Sequence, residues 1–158
     1  MAPRTCSTSP LLVDPQGADA VAAGHSSTCV LRGGDAWCFG NNGDGRLGLG
    51  AMSGAAPTQL TGTWREISLG QRHGCGIRAD GALACWGDNQ DGQIGDGSFD
   101  RRLVPTPVGT DTDWEQIVAT VSHSCGLRSD GSLWCWGRSD DGALGTGTSW
   151  SGALQLVP

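Results

Sequence analysis

Three times within 158 residues the chain writes nearly the same phrase: DAWCFGNNGDGRLGLG at Asp35–Gly50, DGALACWGDNQDGQIGDG at Asp80–Gly97 and DGSLWCWGRSDDGALGTG at Asp130–Gly147. Cys38, Cys85 and Cys135 anchor the alignment, at offsets of 47 and then 50 residues. A period of this length limits the fold sharply. Each unit is a supersecondary piece that cannot bury its apolar face alone, so neighbouring units must stack.

The rest of each unit follows the anchors. An apolar run opens it: AVAAG at 20–24, EISLG at 66–70, QIVAT at 116–120. A cysteine with further strand residues comes next, in CVLR, CGIR and CGLR, then a turn, then Trp37-Cys38-Phe39-Gly40, Ala84-Cys85-Trp86-Gly87 or Trp134-Cys135-Trp136-Gly137. A glycine-rich loop follows and leads to Ala56–Leu60, Val104–Val108 or Ala153–Val157. Three or four strand-sized runs per unit, with no helical period, predict an all-β fold of four-stranded antiparallel β-propeller blades. The 27 glycines suit the tight turns such strands need. The competing reading is a β-sandwich with accidental similarity, and glycines at three matched offsets after each anchor argue against accident.

The pattern G-x-x-H-x-C-x-(I/L)…D-G-x-L-x-C-W-G-x-x-x-x-G-x-(I/L)-G-x-G resembles the regulator of chromosome condensation repeat over about residues 18–157. Unit one departs from it, with Ala18 where Trp64 and Trp114 stand and Ser27 where His73 and His123 stand. The resemblance implies four-stranded blades, usually about seven to a ring. The expected organisation is a lead at 1–17 and blades at 18–60, 61–108 and 109–158, the last ending in a strand able to complete another blade. Three blades form a partial ring, or a ring completed by oligomerisation.

Seven cysteines sort into Cys6 alone and the pairs 29/38, 75/85 and 125/135, with spacings of 9, 10 and 10. Placing Cys75 opposite Cys85 sets Arg78 opposite Ala82 and leaves a three-residue Ala79-Asp80-Gly81 loop; Ser129-Asp130-Gly131 follows by the same count. Placing Cys29 opposite Cys38 leaves a two-residue Gly33-Gly34 turn, a loop length glycine suits. The turn changes length and the cysteine pairing survives. Opposed strand residues sit about 4.5–5.5 Å apart at Cα, within disulfide reach. Three intra-hairpin disulfides are therefore expected, Cys29–Cys38, Cys75–Cys85 and Cys125–Cys135. They would place the protein in an extracytoplasmic or secreted setting. Six free cysteines acting as small strand hydrophobes are the alternative. Zinc at His73, Cys75 and Cys85 is weaker, because unit one lacks the histidine. Cys6 is left for an intermolecular bridge, a free thiol, or a partner on a longer chain.

The net charge is −6 and every basic residue is Arg, with no cluster larger than Arg101-Arg102. That disfavours nucleic acid and anionic membranes. No apolar run approaches a membrane span of about 18 residues, and residues 1–17 do not make a signal peptide. The loops NNGDG, DNQDG and RSDDG place glycine at position 1 of an EF-hand count, so Asp88, Asp91 and Asp96 read as turn formers, with calcium left open. No phosphate loop, nucleophile elbow or metalloprotease helix occurs. His73 and His123 share one repeat position, which marks packing or turn bonding rather than a general base. No catalytic residue, cofactor or metal site is expected.

The phrase is scaffold grammar: one hairpin, one aromatic wedge (Phe39, Trp86, Trp136) and one set of glycine turns per blade. Function belongs where the units disagree. The loops after the glycine motifs contain Phe99, Arg101, Arg102 and Trp150, the residue types of protein-binding hot spots, although Phe99 and Trp150 could instead cap the blades. The expected function is a non-enzymatic, exported, disulfide-stabilised protein-interaction module. It would bind a protein partner or itself through blade edges and variable loops, a homodimer giving six blades. The alternative is a guanine-nucleotide exchange regulator of a small GTPase.

Overall fold

The computed structural model describes residues 7–13, 16–51, 54, 56–145 and the backbone of 151–156. Twelve strands form three four-stranded antiparallel meanders. Blade one holds β1 (Ala20–Ala23), β2 (Ser27–Arg32), β3 (Asp35–Gly40) and β4 (Thr58–Leu60). Blade two holds β5 (Trp64–Leu69), β6 (His73–Arg78), β7 (Leu83–Gly87) and β8 (Arg102–Pro107). Blade three holds β9 (Trp114–Ala119), β10 (His123–Arg128), β11 (Leu133–Gly137) and β12 (Ser151–Leu156). No helix occurs among the described residues.

The central hairpin of each blade has the register that its turn residues dictate. Arg32 pairs with Asp35 around Gly33-Gly34, whose φ values are +57° and +87°. Only glycine adopts that conformation without steric cost at both positions. Gly81 and Gly131 hold φ of +87° and +84° at the ends of the longer turns, and Asp80 and Asp130 accept the backbone N–H of Ala82 and Ser132. With these turns set, Cys29 faces Cys38, Cys75 faces Cys85 and Cys125 faces Cys135. Each pair is a disulfide.

One expectation is corrected. The strand at the end of unit three does not reach toward another blade: β12 pairs with β11, in the same order as β4 on β3 and β8 on β7. Pairing beside its own hairpin keeps the connection local. Blade one likewise has four strands of its own, so it needs no strand from a neighbour.

The blades pack face to face. Alternation along each strand gives a blade two faces. One carries the disulfide; the other carries the aromatic that directly follows its second cysteine, Phe39, Trp86 or Trp136. Blade one turns its cystine face (Cys29, Leu31, Ala36, Cys38, with Leu47 and Leu60) onto blade two's aromatic face (Trp64, Ile67, Ala84, Trp86). Blade two repeats this toward blade three, with Cys75, Ile77, Leu83, Cys85 and Ile94 against Trp114, Ile117 and Trp136.

Candidate protein-interaction surface

The two interfaces inside the chain define what a blade face requires. Trp86 and Trp136 are fully buried wedges. The Trp86 indole N–H donates to the Arg46 carbonyl of the preceding blade at 3.0 Å, and that of Trp136 donates to Gln93 at 3.0 Å. Each wedge meets its own blade's first-strand tryptophan edge-on: Trp64–Trp86 at 5.4 Å and Trp114–Trp136 at 6.1 Å. Arg78 and Arg128 stack over Trp64 and Trp114, at 4.7 and 4.6 Å from the ring centres. Gly76 and Gly126 make room for those indoles, since a Cβ there would lie 2.8 and 2.5 Å from ring carbons. The arginine that closes CVLR, CGIR and CGLR had a role legible in its repetition, yet sequence reading assigned it none.

His73 is structural. It is wholly buried, and its Nε2 shares a hydrogen bond with Ser124 Oγ of blade three at 2.9 Å, while Ser124 Oγ donates to the Gln93 carbonyl at 3.0 Å. Burial, reinforced by the nearby His123, pushes the His73 pKa down to about 4. His123 shares a hydrogen bond between Nδ1 and Thr120 Oγ1 at 2.8 Å. Both histidines thus tie segments together.

Blade one departs from this scheme, and the departure opens a surface. With Ala18 in place of tryptophan, Val30 stands where Gly76 and Gly126 make room, and Arg32 turns to other partners. It donates to the Gly17 carbonyl at 2.6 Å and to Gln16 Oε1 at 2.9 Å. Val13, Gln16, Val30, Arg32, Trp37, Phe39 and Pro57 line a groove of about 330 Å³ there. Phe39 is only half-buried and lies against this lead segment. Among the described residues it faces the lead segment, whereas Trp86 and Trp136 fill the space between two blades. Val21, aligned with buried Ile67 and Ile117, is 67 % exposed.

At the other end blade three leaves its cystine face uncovered. Val118, opposite Cys125 in the ladder, is 55 % exposed. Leu133 is 41 % exposed, whereas its counterpart Leu83 is 1 % exposed. These flank residues were missed as site candidates, although the repeat alignment that pairs Val21 with Ile67 contained the signal.

The variable loop of unit two divides its candidates. Phe99 and Arg101 are exposed. Arg102 is engaged within the loop: its Nε donates to Asp96 Oδ2 at 2.6 Å and its Nη2 to Ser98 Oγ at 3.2 Å. Partial burial works against ionisation of Asp96, yet the hydrogen bonds from Ser98 and Arg102 outweigh it and hold the carboxyl below its ordinary range. Arg102 therefore holds the loop's shape, because a half-buried carboxylate needs a cation beside it. Trp150 lies outside the described residues. Asn42 and Asn89 brace the glycine loops by accepting the N–H of Leu47 and Ile94 at 3.0 and 2.9 Å. Among the described residues no group of three His, Cys, Asp or Glu side chains is placed to hold a metal ion.

A meander of blades packed wedge to cystine, with its turns and loops on a rigid frame, defines a propeller-type repeat protein. Models described as the regulator of chromosome condensation (RCC1) repeat match residues 64–93 and 114–143, and 80–127 and 130–158. These segments cover more than half of the chain, which belongs to the regulator of chromosome condensation repeat family. It is similar to the X-linked retinitis pigmentosa GTPase regulator of Canis lupus familiaris, 31% identical over 101 residues, 60% of this chain and 10% of that protein. The Homo sapiens protein of the same name is 30% identical over the same length and shares. The match thus spans about a tenth of the length of these relatives. Among solved structures, Prp20p from Saccharomyces cerevisiae, described with its binding to Gsp1p and histones, superposes with a TM-score of 0.78 at 18% identity, over 89% of this chain and 38% of that one. Human WBSCR16 superposes with a TM-score of 0.75 at 22% identity, over 87% and 38%. These likenesses show the propeller fold.

Proposed function

We propose that the chain is a non-enzymatic protein-interaction module, disulfide-stabilised and exported, that binds a protein partner or a second copy of itself. The observation that carries this reading is the exposed Phe99 and Arg101 on a rigid, disulfide-braced blade scaffold, residue types that dominate binding energy. Val21, Val118 and Leu133 add exposed apolar side chains on the outer faces of the described blades. Three hairpin disulfides favour an oxidising compartment. The net charge of −6 suits a protein rather than a nucleic-acid partner. A photo-crosslinking amino acid at position 99, followed by identification of the adduct and its loss on Arg101→Glu, tests the loop. Absence of any adduct with a protein in the native secretome would remove it.

A second reading, regulation of a small GTPase, rests on the names of the curated relatives. Nucleotide release from a panel of small GTPases, with and without the chain, separates the two. Accelerated release would favour the regulator and displace the export reading.

A further inference from the structure

We infer that the loop 96–102 of blade two docks an acidic segment of a partner protein, Arg101 taking a carboxylate and Phe99 the apolar side chain beside it. The inference rests on the reading of the chain as a protein-interaction module and names the chemistry of its partner. Arg101 stands apart from the other described arginines. Each of those holds a hydrogen bond, an ion pair or an aromatic ring, and Arg101 holds none. Phe99 is 50 % exposed, although burying a phenyl ring is among the larger apolar gains open to a chain.

The loop is held in shape from within. Asp96 accepts from Ser98 N at 3.0 Å, from Ser98 Oγ at 2.7 Å and from Arg102 Nε at 2.6 Å. Asn89 Nδ2 donates to the Ser98 carbonyl at 2.9 Å, and the Asp100 N–H donates to Ser98 Oγ at 3.2 Å. Just past the loop, the Gly50 N–H of blade one donates to the Leu103 carbonyl at 2.9 Å. Units one and three have Leu49 and Thr146 in place of Asp96, so the carboxylate brace belongs to the unit whose loop carries both Phe99 and Arg101. A loop already ordered loses less freedom on binding, and its contacts convert more fully into affinity. Asp96, Asn89 and Ser98 are therefore positioning residues.

Charge sets the partner's chemistry. Arg102 offsets Asp96 inside the loop. Asp100 and Arg101 remain at the tip, both exposed and in no ion pair with each other. One guanidinium matches one carboxylate in bidentate geometry. A phosphate carries about −1.5 to −2 and is held by clusters of arginines. This tip offers a single free arginine, with Asp100 beside it, on a chain of net charge −6. Cα atoms two residues apart lie at most about 7 Å from each other, so one short segment reaches both Phe99 and Arg101. Its acidic and apolar residues stand close together in sequence for the same reason.

Selection of a random peptide library displayed on phage against the intact, oxidised chain tests this, followed by fluorescence anisotropy with the selected peptides. Asp or Glu close to Leu, Ile or Phe is expected to be enriched. Arg101→Glu and Phe99→Ala should each raise Kd at least about tenfold. Both positions are exposed, and circular dichroism checks that each variant keeps the fold. Arg101→Glu should cost nothing further once the acid of the peptide is replaced by its amide. Asp100→Asn should lower Kd about twofold by removing a like charge. Asp96→Asn should weaken binding although Asp96 faces its own loop. Peptides with no enriched acid, binding indifferent to Arg101→Glu, or tighter binding with phosphoserine in place of the acid would each overturn the acidic-segment docking. An unchanged Kd in Asp96→Asn would overturn the preorganisation. If position 99 still cross-links a protein in those cases, the interaction reading stands with a partner of other chemistry. If it does not, both fall.

Discussion

His73 shows how a repeat position acquires a specific duty. In unit one the same position is Ser27, and no histidine-to-serine bond spans blades one and two there. In unit two the imidazole is buried against Ser124 and must stay neutral. An unfolded histidine titrates near 6.5, whereas this one titrates near 4. The unfolded chain therefore binds the proton first as pH falls, and stability present above about 6.5 is lost progressively down to about 4. The expected loss is about 3 kcal/mol, read as a falling melting temperature across that window. His73→Gln should flatten most of the slope, leaving a smaller part from His123, which burial also shifts down. A second contrast sits in the turns. Gly81 and Gly131 share a left-handed backbone, but a Cβ on Gly81 would lie 2.0 Å from the Thr112 carbonyl while one on Gly131 meets nothing within 4 Å. Gly131→Ala should cost only the backbone term of about 1–2 kcal/mol, and Gly81→Ala clearly more. Chemical denaturation of the pair measures the difference.

Each element is a hairpin closed twice, by its turn and by its disulfide. A disulfide closing a loop of about ten residues contributes about 2–3 kcal/mol through the unfolded chain. Thiol titration of the denatured, unreduced protein should find one free thiol among seven cysteines, and peptide mapping should find only within-hairpin bridges. Six or seven thiols would remove both the bridges and the case for export. The wedge aromatics are the other element-scale device. Trp86→Phe should destabilise by about 2–3 kcal/mol, because it leaves a void and an unbonded Arg46 carbonyl in a buried seam. The chain itself carries a comparison: Phe39 occupies that repeat position without an indole N–H, and it is half-buried where Trp86 is fully buried.

At the scale of the whole molecule the three blades are alike in plan and unequal in protection. Blade two is covered on both faces, and β6 and β7 are buried almost throughout. In β2 and β10 buried and half-buried residues alternate, the mark of a single covered face. Amide hydrogen exchange should therefore be slowest in β6 and β7, with β1 and β9 to β11 opening at lower free energy.

The repeat period, the turn glycines and the cysteine spacing were enough to determine the blades, the hairpin registers and the disulfide pairing. All of these are set within about ten residues of chain, where local geometry leaves few choices. The family likeness was legible for the same reason, carried by residues at fixed offsets. Packing between units depends on contacts about fifty residues apart, and only the tertiary structure decided those. It assigned β12 to its own blade, engaged Arg102 with Asp96 and set Arg32 on the lead. It also left Val21, Val118 and Leu133 facing outward. In sequence these three are ordinary strand hydrophobes; their exposure comes from standing on the outer faces of the described three-blade stack, a position that contacts between units set.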